Sequence, residues 1–345
     1  MSVLLAHAGV SLFPGGFLGV DVFFVISGFL ITGLIRKGTL AGDFSFREFY
    51  LRRVRRLAPA MLVTLAITFV VFALVMPPLD LRRLSQSTVA SVLSLANVYF
   101  FLRVGYFDTE AAFKPLLHMW SLGVEEQFYL VWPLTAWAVL RWGKRLVWPL
   151  VAALTAISFL AAEIYYDHDP AAAYYLLPFR AGELLIGALA LWAMERVPAR
   201  GRLAEGALAL GLALIAGSIL LLDETARIPG LIALFPCLGA ALARWSGAAA
   251  PRVGQALSNR PMVWIGVISY SLYLVHWPVM VFWRFVTSHA WRLPEQLALV
   301  GVCVILAWGL NRWVETPFRH LPPGGARLRP NLPIWPEPWP WPPCA

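Results

Sequence analysis

His7 and Asp21 stand on either side of Pro14-Gly15-Gly16, a sequence through which a helix does not continue. His7 lies seven residues before Pro14 and Asp21 five after Gly16. In a tight helical hairpin both then sit roughly 10 Å or less below the turn, at about 1.5 Å of rise per residue. At that depth the two side chains can touch, and a carboxylate that accepts from one imidazole nitrogen leaves the other as a base. The plainer reading is a structural pair that only closes the hairpin. A second group runs from His118 through Ser121, Glu125 and Glu126 to Tyr129. At 100° per residue His118, Leu122, Glu125 and Tyr129 share one helical face, with Glu126 about 80° round from His118. His118 and Glu125 are about 10 Å apart along the axis, so each needs a partner on another helix or in a water-filled space. Ionisable groups in hydrocarbon are functional candidates by default, and two adjacent glutamates are hard to explain as packing. Ser121 adds a candidate nucleophile.

Two further clusters carry charge or imidazole. Arg52, Arg53, Arg55 and Arg56 precede Leu57-Ala58-Pro59 and cover an arc of about 160° on a helix. The plain reading is a basic anchor at the cytoplasmic membrane face; the sharper one is a clamp for an anionic ligand, since arginine matches phosphate bidentately. His276 lies in Tyr270-Ser271-Leu272-Tyr273-Leu274-Val275-His276-Trp277-Pro278, where Trp and Tyr ordinarily mark an interface belt.

The elements that must position these residues are apolar. The 345 residues are 59% hydrophobic and 14% charged, with mean hydropathy +0.69, against about 25% charged for a soluble domain. An ordinary soluble enzyme is excluded. Apolar runs near 17–35, 57–77, 117–140, 146–165, 174–194, 204–222, 228–243, 262–283 and 295–314 are long enough to cross a bilayer or nearly so. Residues 1–13 are apolar but short and read as a transmembrane helix lacking its first half. The expectation is an all-α, polytopic transmembrane bundle of about ten crossings, with Ser87–Leu102 as an extra apolar segment that does not cross. With that segment left uncrossed and the N-terminus inside, 20 of the 28 Lys and Arg fall in cytoplasmic loops, as the positive-inside rule requires. Both termini are then cytoplasmic. The 28 basic against 19 acidic residues belong to this loop bias and call for no nucleic acid. Cys237, Cys303 and Cys344 are far apart, without the spacing of a disulfide framework or zinc site, and no metal or bound cofactor is expected. Residues 321–345, with nine prolines and three tryptophans, read as an unstructured tail beyond a membrane domain at 1–320.

Taken together, HAGVSLFPGGFLGVDVFFVISGFLITGLI, FREFYLRRVRRLAPAML, LLHMWSLGVEEQFYLVWPL, FRAGELLIGALAL, ISYSLYLVHWPVMVF and VETPFRH resemble the acyltransferase-3 family of bacterial integral membrane O-acyltransferases. They run in order from residue 7 to 320. The resemblance implies a multi-pass protein of the bacterial inner membrane, with membrane lipids around it. It would pass an acyl group, usually acetyl, from cytoplasmic acyl-CoA to a hydroxyl of an extracytoplasmic glycan or glycolipid, such as lipopolysaccharide O-antigen, exopolysaccharide or peptidoglycan. It also implies a catalytic role for His7 and importance for Arg53, Arg55 and Glu125. Two features depart from the family pattern. An arginine some ten residues ahead of that histidine would fall before Met1, and the hydrolase-like domain that many relatives append is replaced by the Pro/Trp-rich stretch.

The thioester donor is already activated, so such an enzyme must deprotonate an alcohol, hold both substrates and stabilise an oxyanion. The expectation is His7 as base, oriented by Asp21, with Arg52, Arg53, Arg55 and Arg56 on the CoA phosphates and Glu125 in proton relay or sugar binding. His118, Ser121, Glu126, Tyr129 and His276 are the remaining candidates, Ser121 as the nucleophile if transfer passes through an acyl-enzyme. The competing class is a transporter or flippase for a lipid-linked or glycan substrate, which shares the helices and the buried charges. Topology is tested first: reporter fusions after Lys37, Arg145, Arg202 and Arg260 report the cytoplasm, and fusions near Asp169 and Glu224 the opposite side. A cytoplasmic signal at Asp169 means that 87–102 crosses.

Overall fold

The computed structural model describes residues 1–104, 110–142, 146–223, 225–287 and 289–319; the expected tail at 321–345 lies outside them. Fifteen α-helices follow in order among the described residues: α1 Ser2–His7, α2 Gly19–Ala41, α3 Phe46–Ala73, α4 Pro78–Val92, α5 Ala96–Phe101, α6 Met119–Trp142, α7 Val147–Tyr165, α8 Pro170–Tyr175, α9 Leu177–Arg196, α10 Gly201–Leu221, α11 Leu234–Ser246, α12 Pro251–Leu257, α13 Arg260–Val286, α14 Leu293–Leu310 and α15 Thr316–Arg319. Local chemistry sets several of the starts. Ser45 accepts from the Glu48 amide ahead of α3, and Asn259 accepts from the Met262 amide ahead of α13, which has proline in its first turn. Such caps satisfy amides that the helix leaves free.

Among the described residues eight helices are long and apolar enough to cross a membrane, and the chain is a multi-pass membrane protein. Side chains such as Leu62, Ile67, Val70, Leu210 and Ile305 are exposed, as helices facing lipid require. The expected run at 117–140 is α6. It is 24 residues long but carries Glu125, Glu126 and Gln127, and is not among the eight. Within the expected apolar segment 1–13 the helix α1 ends at His7, because Gly9 turns left-handed at φ 82°, ahead of the Pro14-Gly15-Gly16 break. The segment 87–102 is split between α4 and α5 at Ser94, φ 58°. Asn97 and Gln127 exchange amide hydrogen bonds, and Asn97 also donates to the Tyr175 carbonyl. A polar side chain consumed in this way anchors α5 to α6 and α8.

The tightest seam joins α2 and α9, which run side by side in one direction. Arg180 at the start of α9 meets Asp21 at the start of α2, and Arg36 near the end of α2 meets Glu195 near the end of α9. Between these pairs Gly28 lies against the Leu184 carbonyl and Gly187 against that of Val25, so that a Cβ at either position would collide with backbone. Small residues at such a crossing let two backbones approach, which is how helices associate where lipid removes the hydrophobic drive. Gly28→Leu and Gly187→Leu should each cost about 3 kcal/mol or more of stability. Gly206→Leu, whose added side chain meets open space, should leave the melting temperature in detergent unchanged. Equal melting of all three would remove the seam from the folding argument.

Candidate active site

Three histidines converge where α1, α6 and α13 meet. His7 Nδ1 is 3.2 Å from His276 Nε2, the ring planes within 1° of parallel and the centroids 5.4 Å apart. The Trp277 and His7 rings pack edge to face, their centroids 4.6 Å apart and their planes 66° apart. His276 is 2% exposed, and its Nδ1 lies 2.7 Å from the Tyr273 carbonyl and 3.2 Å from that of Leu272. His118, just ahead of α6, is also buried, with its Nε2 3.2 Å from the Leu274 carbonyl. That carbonyl is free because Pro278, four residues on in α13, has no N–H to donate to it. His118 Nδ1 has no hydrogen-bond partner among the described residues. Ser121 and Tyr273 share a hydroxyl–hydroxyl bond, and Tyr273 also donates to the His118 carbonyl.

One turn further along α6 the polar chain continues. Glu125 is 3% exposed and accepts from Ser27 on α2 and from Tyr129 one turn on. Arg53 lies over the Tyr129 ring at 4.9 Å, within electrostatic reach of Glu125 and Glu126. His118, Ser121, Glu125 and Tyr129 therefore form one stripe about 16 Å long at 1.5 Å per residue. The stripe meets His7 and His276 at the start of α6 and Arg53 at its far end, beside Tyr129. The four arginines are not equivalent. Arg52 is exposed and pairs with Glu48 at 3.2 Å, whereas Arg53, Arg55 and Arg56 are half-buried. Glu126 is half-buried and lies within electrostatic reach of Arg53 and of Tyr270 on α13.

The expected His7–Asp21 pair does not form. Asp21 is buried against Arg180 at 3.1 Å, and Arg180 reaches Glu183 at 2.9 Å. Arg180 is 1% exposed, its guanidinium held 5.3–5.7 Å from the rings of Phe24, Trp120 and Tyr174. A full cation competes for a buried carboxylate better than a neutral imidazole does, which takes Asp21 away from His7. Sequence reasoning passed over Arg180 and Glu183, although two ionisable residues three apart in the apolar run 174–194 are the signal that singled out Glu125. Ser27 and Tyr273 gave no such signal, since hydroxyls are ordinary in membrane helices.

Residues 2–312 match the model of the acyltransferase-3 family, described as an acyltransferase domain. The chain is 33% identical over 343 residues to the peptidoglycan O-acetyltransferase OatA of Listeria monocytogenes, covering 92% of this chain and 54% of OatA. It is 36% identical over 236 residues to an uncharacterized protein of Haemophilus influenzae, covering 65% of this chain and 96% of that protein. The chain thus spans about half the length of OatA. No solved structure matches it significantly.

The Arg180 cage yields a stability test. Arg180→Gln strands Asp21 and Glu183 with no cation between them and should cost about 3–5 kcal/mol, read as a lower melting temperature and yield in detergent. The triple variant Asp21→Asn, Arg180→Gln, Glu183→Gln, which removes all three charges, should recover much of that loss. A single variant as stable as wild type would show that the cage does not hold the fold.

Proposed function

Because the chain belongs to the acyltransferase-3 family, we propose that it transfers an acyl group, acetyl in the first instance, from acyl-CoA on the cytoplasmic side to a hydroxyl of an extracytoplasmic glycan. Residence in the bacterial inner membrane with both termini cytoplasmic belongs to the same reading. Peptidoglycan is the first acceptor to test, since OatA is named for it; lipopolysaccharide O-antigen and exopolysaccharide come next. The observation that carries the reading is the polar stripe of α6. It joins Arg53, beside Tyr129 midway along α6, to the histidines at the start of α6, among helices that otherwise present apolar side chains. A substrate with phosphates at one end and a thioester on an extended arm suits such a path.

In this reading Arg53, with Arg52, Arg55 and Arg56 around it, binds the phosphates of CoA, and the acyl-pantetheine arm lies along the stripe toward His7. His7 Nε2 takes the proton of the acceptor hydroxyl as its oxygen attacks the thioester carbon. Collapse of the tetrahedral intermediate breaks the C–S bond, and the leaving thiolate takes the proton back from His7. The products are the ester and free CoA. Direct transfer is favoured over an acyl-enzyme, because the Ser121 hydroxyl is engaged by Tyr273 and the His118 carbonyl. Among the described residues no imidazole nitrogen is hydrogen-bonded to it.

Membranes containing the protein, incubated with labelled acetyl-CoA and glycan acceptor, should yield alkali-labile label on the glycan. His7→Ala should lower the rate by about 10²-fold or more with normal membrane insertion; a normal rate ends the base assignment. Arg53→Gln and Arg55→Gln should raise the donor KM with kcat little changed, the mark of binding that ground and transition states share. An unchanged donor KM would return the arginines to membrane anchoring. Glycan movement across vesicles without acyl-CoA would favour the flippase class instead.

A further inference from the structure

Asp21 is committed to Arg180, so the proposed base has no carboxylate to orient it. Among the described residues its ring nevertheless has one hydrogen-bonded partner, and the chain of contacts beyond that partner fixes where each proton lies. Among the described residues His276 Nδ1 faces only carbonyl oxygens, those of Tyr273 and Leu272. A carbonyl accepts and cannot donate, so His276 Nδ1 carries a hydrogen. In the neutral ring Nε2 is then a lone pair. His7 Nδ1 stands 3.2 Å from that lone pair and must carry a hydrogen to bond it. The nitrogen of His7 left without a proton is Nε2.

We propose that His276 is a positioning residue that holds His7 in the tautomer with its proton on Nδ1, leaving Nε2 free to take the acceptor's proton. This rests on His7 being the base. His276 cannot take that part itself: it is buried, and both its nitrogens are occupied by His7 and by its own helix. The near-parallel rings direct the Nδ1–H bond into the plane of the His276 lone pair, and the Trp277 ring packed against His7 restricts rotation of the His7 ring out of that plane. A neutral acceptor also suits the surroundings, because it adds no second charge to desolvate. When His7 gains its proton at Nε2, its Nδ1–H bond to His276 becomes charge-assisted and stronger. The proton can travel no further than His276, whose far nitrogen faces carbonyls. The pair therefore holds charge transiently and returns it through His7.

The test measures acetyl transfer in membranes with matched amounts of inserted protein. His276→Phe keeps a flat ring without the acceptor and should lower kcat about 10–100-fold, the usual cost of removing a group that orients a functional histidine. Donor and acceptor KM should stay within about twofold, since no ground-state binding is lost. His276→Gln, whose amide reaches the place of Nε2, should regain most of the rate; His276→Asn, whose amide reaches only the place of Nδ1, should not. The double variant His7→Ala, His276→Phe should be no slower than His7→Ala alone, because residues acting as one unit do not add. Wild-type kcat in His276→Phe, or additive losses in the double variant, would overturn the proposal while leaving His7 as base. Should His276→Phe fail to accumulate, Gln against Asn decides, and equal rates in those two overturn it. Full activity in His7→Ala would instead remove the base assignment, and this inference with it.

Discussion

The buried guanidinium of Arg180 organises the bundle. A cation in an apolar interior is tolerated only when paired and surrounded by polarisable groups, and here the partners come from four helices. Asp21 belongs to α2, Glu183 to α9, Trp120 to α6 and Tyr174 to α8. One residue thus fixes how α2 and α6 stand against α9. With Gly28 and Gly187 allowing close backbone approach on the same seam, α2 is left little freedom to rotate. That orientation points Ser27 at Glu125 and Thr32 at Trp132. The carboxylate at the centre of the polar stripe is presented by a scaffold set two turns away.

Proline makes the second contribution. Pro278 leaves the Leu274 carbonyl without its helical donor, and His118 fills the gap from another helix. The same stretch of α13 orients His276 through its own carbonyls, positions Trp277 beside His7 and sends the Tyr273 hydroxyl to His118 and Ser121. One irregular turn therefore governs two imidazoles, an indole and a phenol.

Much of this was legible in the sequence. The apolar runs marked the spans, the periodicity of His118, Glu125 and Tyr129 marked the stripe, and the loop charges singled out 87–102, which Ser94 breaks. The pairing of His7 with Asp21 was not. Rise per residue sets the depth of a side chain along a helix, but not which neighbour it faces. That choice lay with Arg180, some 160 positions away in the chain. The partnership of His7 with His276 was equally invisible, because 269 residues separate them and nothing in either local pattern refers to the other. Short-range chemistry shows up as spacing; a contact between distant helices exists only once the bundle has packed.

The segment that carries His7 shows why this matters for mechanism. His7 is the last residue of α1, and beyond it the chain leaves the helix and turns left-handed at Gly9. Its position is imposed from outside. Gln296 at the start of α14 donates to the Gly9 carbonyl at 3.0 Å, the Gly15 amide donates to Ile219 of α10 at 2.9 Å, and Gly16 leaves room for Ser2 and Ala6 to pack on it. The geometry of the proposed base is thus a tertiary property of α10, α13 and α14 rather than of its own helix. A ring held only by its backbone would rotate about χ1 and χ2, whereas one bonded to His276 and flanked by Trp277 has a single productive orientation. The short helix delivers the imidazole, and α13 determines which of its nitrogens is free to react.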